Sequence, residues 1–400
     1  MRKRIIAAAL AALLASTGTL NAQTYIQNFT GQNKNYISTG MPILLIAPDG
    51  VASALGDAGA ASTPDANSAH WNNAKFAFIE NDMGISTTYT PWLRHLQVAD
   101  MNLLYLAGYK RINDRSTVAS SLTYFSLGEI QSTNGEGINQ GLINPNEFAF
   151  DVTYAMKLAD NLSLGATGRY IRSDLTNGMS IDDGSGFTTT KAANSLAADI
   201  GLYFQQDIDR RQAFAAGLNI SNLGAKLSYS DDDTDKEFLP ANLRLGGRYT
   251  YEPDNYNKIN VLLDVNKLLV PTPPYTDDDG VTYGRYQNMA EYNRLGSIQG
   301  VINSFYDAPG GWREELTELQ LSLGAEYWYE ETFAARLGYF WEHENKGGRQ
   351  YATVGLGIKY NVVLVDFSYL IPTTEFSSNP LANTIRISVT LNMGKDKRRI

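Results

Sequence analysis

The residues in this chain best suited to chemistry are few and poorly spaced for it. The three histidines are His70, His95 and His343. No HExxH or other ligand spacing links them, so no metal site is expected. There is no cysteine, which removes thiol nucleophiles, disulfides and Cys-based metal sites. Asp231-Asp232-Asp233-Thr234-Asp235 could offer hard oxygen ligands to calcium. It lacks the glycine and terminal glutamate of an EF-hand loop, and a solvated acidic loop is the favoured reading. Gly135 and Gly137 introduce no helix and hence no phosphate cradle. Serines are many, but no G-x-S-x-G elbow appears. The residues therefore predict neither catalysis nor a bound cofactor, and attention moves to the elements that carry them.

Those elements have a rhythm that runs from near Asp82 to Met393. Segments of about ten residues alternate apolar with small or polar positions. Leu319, Leu321, Leu323, Ala325 and Tyr327 interleave with Gln320, Ser322, Gly324, Glu326 and Trp328. Phe333, Ala335, Leu337, Tyr339 and Trp341 interleave with Ala334, Arg336, Gly338, Phe340 and Glu342. A period of two places the two sets on opposite faces of a strand. Soluble β-proteins also alternate, but here short and long links alternate as well, which is the outer-membrane barrel pattern.

Fourteen strands are predicted near 82–92, 98–111, 115–128, 147–158, 161–173, 194–207, 210–221, 241–251, 257–266, 318–329, 332–343, 350–360, 362–371 and 383–393. Every second link is short, as at Ala159-Asp160, Glu330-Glu331 and Asn361. The intervening links are mostly long: about 129–146, 174–193, 222–240, 267–317, 344–349 and 372–382. An even strand number returns both ends to one side. The expectation is an all-β, 14-stranded antiparallel transmembrane barrel with periplasmic termini and long loops facing outward.

The start of the chain agrees with export. Arg2, Lys3 and Arg4 precede an apolar run from Ile5 to Ala15, and a small-residue stretch leads to Leu20-Asn21-Ala22. This reads as a signal peptide over 1–22, cut after Ala22; the run is too short for a spanning helix, which needs about 20 apolar residues. Removing Arg2, Lys3 and Arg4 leaves 30 basic residues against 42 acidic ones, a net charge of about −12. That balance argues against nucleic acid as a partner. At the other end, Lys395-Asp396-Lys397-Arg398-Arg399 lies in a basic tail, 394–400, expected in the periplasm.

Two stretches break the rhythm. Residues 23–81 do not alternate; they carry Gly56-Asp57-Ala58-Gly59-Ala60-Ala61 and, further on, Trp71-Asn72-Asn73-Ala74. Small residues permit close backbone packing, and Asn, Asp and Ser satisfy irregular backbone, so this composition suits a plug folded inside the lumen of the barrel over 82–393. Gly56, Gly59, Trp71 and Asn72 are its expected packing residues. The longest link, 267–317, holds Pro271-Thr272-Pro273-Pro274, a helix-like run from Asn288 to Ile302, and many rings. Loops of this length are usually functional or disordered, and Trp312, Tyr286 and Phe305 are the expected partner contacts.

The Gly56–Ala61 run, followed by Asp65-Ala66-Asn67-Ser68 and Trp71-Asn72-x-Ala74, resembles the N-terminal hatch of the FadL-type barrels (OmpP1/FadL/TodX). Asn379-Pro380-Leu381-Ala382-Asn383-Thr384-Ile385-Arg386 resembles that family's closing signature. The approach segment Tyr36–Asp49, Thr90-Pro91-Trp92-Leu93-Arg94 and Asp100-Met101-Asn102 are similar to the PorV-type members that serve type IX secretion. One departure is Asn73, where the family usually has proline. The resemblance implies a non-enzymatic barrel in outer-membrane lipid that takes no cofactor. It would collect cargo by its C-terminal signal domain at a SprA/Sov-type translocon and pass it to the attachment proteins PorU, PorQ and PorZ. The alternative that the same resemblance leaves open is a FadL-like transporter of hydrophobic small molecules.

Overall fold

A computed structural model of the chain describes residues 36–92, 100–133, 139–176, 180–182, 187–229, 236–276, 282–373 and 383–394. The expected signal peptide, the acidic run 231–235, His95, and the basic tail beyond Gly394 lie outside the described residues, as does the first half of the closing signature, residues 379–382. Fourteen strands form one closed barrel. The first seven are β1 Met83–Pro91, β2 Asn102–Arg111, β3 Ser116–Ser126, β4 Asn146–Ala159, β5 Leu162–Asp174, β6 Ala193–Asp207 and β7 Gln212–Gly224. The rest are β8 Asn242–Tyr251, β9 Asn257–Leu268, β10 Leu319–Tyr329, β11 Phe333–Trp341, β12 Gln350–Tyr360, β13 Val363–Pro372 and β14 Ile385–Met393. Neighbours pair antiparallel, and β1 closes on β14 from Met83↔Met393 to Tyr89↔Ile387. Closure leaves no unpaired edge, the condition for a sheet in hydrocarbon.

The strand faces follow the sequence period. Along β10, Leu321, Leu323, Ala325 and Tyr327 are exposed, while Ser322, Gly324 and Glu326 are buried. The outward residues are apolar because they meet lipid. The inward ones are small or charged, and the charged ones are matched across strands. Arg336 on β11 pairs with Glu326 on β10 and Asp366 on β13, each at 2.7 Å. Arg169 on β5 pairs with Asp151 on β4 at 2.7 Å and Asp199 on β6 at 3.0 Å. Buried ions cost heavily unless paired in this way.

The links sort by length onto two rims. Turns at 112–115, 160–161, 208–211, 252–256, 330–332 and 361–362 share one rim with both barrel ends. The opposite rim carries the longer connections, some with their own two-stranded ribbons, such as Ile130–Thr133 against Asn139–Ile143. The 269–318 connection is folded. After the one-turn helices α1 Gly50–Ser53 and α2 Ser68–Trp71 of the N-terminal segment, it contributes helices α3 Met289–Asn293, α4 Ser297–Asn303 and α5 Trp312–Thr317.

Candidate functional site

Two regions gather the residues that do more than close the barrel. The first is the N-terminal segment within the ring of strands. Its short turns are built by side chains. Asp49 Oδ1 accepts the N–H groups of Val51 and Ala52, both at 2.9 Å, as an N-cap does. Asp49 Oδ2 accepts Trp71 Nε1–H at 2.6 Å. Trp71 is buried, with Ala47 and Ala52 packed on it and the Arg244 guanidinium 4.7 Å over its ring. A Cβ on Gly59 would fall 2.2 Å from Trp71 Cδ2, so only glycine fits beneath the indole. Gly56 has φ +66°, and a Cβ there would strike the Tyr339 backbone at 2.5 Å.

This segment is bonded to the walls on many sides. Gly50 N–H donates to Ser388 Oγ on β14 at 2.8 Å, and Gly56 N–H to Thr353 Oγ1 on β12 at 3.0 Å. Asn72 Nδ2 donates to Ala60 O and to Leu202 O on β6, both at 3.0 Å. Asn73, at the position where proline was the family expectation, donates through Nδ2 to Thr167 Oγ1 on β5 at 2.9 Å. Proline could not make that bond. His70 is half-buried edge-on to Trp71 with ring centres 4.8 Å apart, and His343 Nδ1 accepts Asn345 N–H at 3.2 Å. Among the described residues no three His, Asp or Glu side chains converge as metal ligands would.

The second region is the 269–318 connection. Phe238, Val270, Tyr286 and Tyr292 form a small apolar core beneath it. Tyr286 is only 3% exposed; its hydroxyl donates to Asp307 Oδ2 at 3.3 Å and accepts from Asn303 Nδ2 at 2.9 Å. Burial pushes that hydroxyl up to about 12. This corrects the sequence expectation for Tyr286: its ring packs the connection onto the barrel and offers no outer contact. Tyr292 donates to Pro271 O at 3.0 Å. Lys267 on β9 pairs with Glu315 at 2.9 Å and Glu318 at 2.6 Å, and Lys346 pairs with Glu314 at 2.7 Å. The connection is therefore pinned to the rim at several points.

Its surface exposes several large apolar side chains among polar ones. Trp312 is 70% exposed and Phe305 49% exposed. Ile298 and Ile302 on α4, and Trp312 and Leu316 on α5, are also exposed, and each pair is four residues apart on one helix face. Sequence reading saw the helical run but missed these pairs; the i, i+4 spacing of Ile298 with Ile302 was the available signal. Exposed apolar groups gathered in this way mark contact surfaces.

Fold and site together define a closed 14-stranded antiparallel β-barrel with an interior segment and a structured connection at one rim. Among solved structures the chain is similar to the Pseudomonas putida toluene transporter TodX, with 11% identity, 89% of this chain and 98% of that one covered, and a TM-score of 0.50. It is also similar to a TodX deltaS2S3 mutant described as a monoaromatic hydrocarbon channel, with 12% identity, 87% and 99% covered, and a TM-score of 0.51. At such identities the likeness establishes the fold. No curated protein matches the chain. Residues 29–275, more than half of the chain, match the family described as Type IX secretion system protein PorV, and the chain belongs to that family. The family is one of a protein secretion system, and the fold is a closed β-barrel.

Proposed function

We propose that this barrel sits in the bacterial outer membrane, with its short-turn rim and both barrel ends in the periplasm, and handles cargo for type IX secretion. In this reading it binds the C-terminal signal domain of a secreted protein at a SprA/Sov-type translocon. It then carries the cargo to the attachment complex of PorU, PorQ and PorZ. The observation that carries the reading is the set of large apolar side chains exposed on the 269–318 connection. Ile298, Ile302, Trp312 and Leu316 are exposed on helices, and Phe305 between them, in a connection held to the rim by ion pairs at Glu314 and Glu315 and by a buried ring cluster. Large apolar side chains presented on an ordered connection suit a protein partner.

Passage of hydrophobic small molecules has less support. Cavities of about 30 and 10 Å³ lie beside the N-terminal segment, against roughly 300–1,000 Å³ for a pocket that takes a drug-sized ligand. The deciding experiment is the double variant Ile298→Asp with Trp312→Asp in the native host. The barrel should insert at its usual level, because neither side chain is part of the ladder, and cargo should accumulate in the periplasm. Normal secretion and anchoring by an inserted double variant would overturn the reading.

A further inference from the structure

The larger cavity lies on the long-loop side of the N-terminal segment. Arg244 near the start of β8, Tyr351 near the start of β12, Arg386 near the start of β14, and Asp57 line it. Arg349 lines it too, but is taken by Glu342 at 2.8 Å. Arg244 and Arg386 differ from the lumenal arginines Arg169 and Arg336, which hold two carboxylates each; Arg248, outside this cavity, is bonded instead to the hydroxyls of Thr63 and Tyr203. Among the described residues neither has an ion pair. Arg386 donates through Nε to Ala47 O at 2.9 Å. Arg244 donates through Nε to Asn266 Oδ1 at 3.0 Å, and through Nη1 to His70 O at 3.2 Å and Trp71 O at 3.1 Å. All these acceptors are neutral.

A guanidinium carries five N–H donors. These bonds leave both terminal nitrogens of Arg386 and Nη2 of Arg244 uncommitted among the described residues, on two side chains that are 2% and 6% exposed. The cavity's one carboxylate, Asp57, accepts the Tyr351 hydroxyl at 2.6 Å and forms no ion pair with either arginine. Glu342 answers Arg349, and the carboxylates of Asp49 and Asp264 act on Arg386 and Arg244 through space without forming an ion pair with them. Neutral donors could hold the backbone carbonyls of Ala47, His70 and Trp71 equally well. Arg244 also lies over the Trp71 ring, but burying two cations without an ion-pair partner is costly, whereas a planar fork with spare N–H groups matches an oxyanion. The volume, about 30 Å³, exceeds the roughly 10–15 Å³ that one water needs and suits a headgroup rather than a long chain.

We propose that this cavity binds a small oxyanion, a carboxylate or phosphate group, between Arg244 and Arg386. It enters from the long-loop side. The inference does not depend on the secretion reading.

The test is calorimetric titration of the purified full-length barrel in detergent with sodium phosphate, and separately with sodium acetate, at constant ionic strength. The wild-type protein should bind at least one of them saturably. Phosphate alone assigns a phosphate group; acetate binding assigns a carboxylate, which a short peptide with a free rather than amidated C-terminus would share. Arg386→Gln should weaken binding at least tenfold, while Arg115→Gln, at the opposite rim, should leave it unchanged. If Arg386→Gln fails to fold, the wild-type melting temperature decides. A rise with the anion beyond an ionic-strength control supports the site, and a flat response overturns it. Absence of saturable binding to the wild type, or equal affinity in Arg386→Gln, also overturns it.

Discussion

The carboxylate of Asp264 on β9 accepts the backbone N–H of Gly59 at 2.8 Å. The same oxygen accepts the Ala60 N–H at 2.7 Å. One wall side chain thus satisfies two consecutive buried donors of the N-terminal segment. Asp264→Ala would leave both unpaired, at about 1–3 kcal/mol each. Hydrogen exchange over residues 56–62 should accelerate, while the strand amides of β8 and β9 stay protected because their ladder is backbone to backbone. Asp264→Asn keeps one acceptor oxygen and should fall between. Unchanged protection in Asp264→Ala would mean that the turn is held by something else.

Leu337 tests the facing of the strands. It lies mid-strand on β11, opposite Ala325 and Val354, and is 62% exposed. Its neighbour Arg336 points inward to two carboxylates. An arginine at Leu337 would face hydrocarbon without such partners, and should cost roughly 2–4 kcal/mol near the midplane. Equilibrium refolding into lipid vesicles measures this, and a neutral result would place Leu337 at an interface instead.

The strands were legible because lipid outside and a packed segment inside enforce the period of two on both faces. The reading of 350–360 coincides with β12, and 332–343 overshoots β11 Phe333–Trp341 by a few residues. What the sequence did not reveal depends on distant partners. Tyr286 and Trp312 are both large rings in one connection, yet one is buried against Phe238 and the other faces out. Nothing local separates them. Arg336 and Arg386 are likewise alike in type and setting. Only closure of the barrel shows that one meets two carboxylates and the other a carbonyl.

The turn between β10 and β11 carries a removable cost. Glu330 and Glu331 have φ of 52° and 51°, the left-handed pair that suits a tight hairpin but usually draws Asn and Gly. A side-chain-bearing residue pays about 1–2 kcal/mol there. Glu331→Gly should therefore stabilise the barrel, by up to about 1 kcal/mol after glycine's greater freedom in the unfolded chain is subtracted. Thr332→Gly, next door without positive φ, should destabilise. Urea midpoints of the two variants in vesicles check the contrast, and a loss of stability in Glu331→Gly would refute it.

Asp307 makes the outer connection sensitive to pH. Burial raises its carboxyl to about 7, and the charges of Glu315 and Glu318 add to the effect. Its Oδ2 accepts Thr272 N–H at 3.2 Å and the Tyr286 hydroxyl at 3.3 Å, so it ties the base of the connection to its ring core. The folded connection holds the proton more tightly than the unfolded one. Its contribution is fully present below the ordinary carboxyl value of 3.8 and is lost as pH rises through about 7. Opening of residues 286–306 should therefore be more frequent at pH 8 than at pH 5. Hydrogen exchange corrected for the intrinsic effect of pH would show it. Asp307→Asn holds the neutral state at every pH, so its protection should no longer fall between pH 5 and pH 8. The same slope in wild type and variant would assign the sensitivity to Glu315 or Glu318 and remove Asp307 from the account.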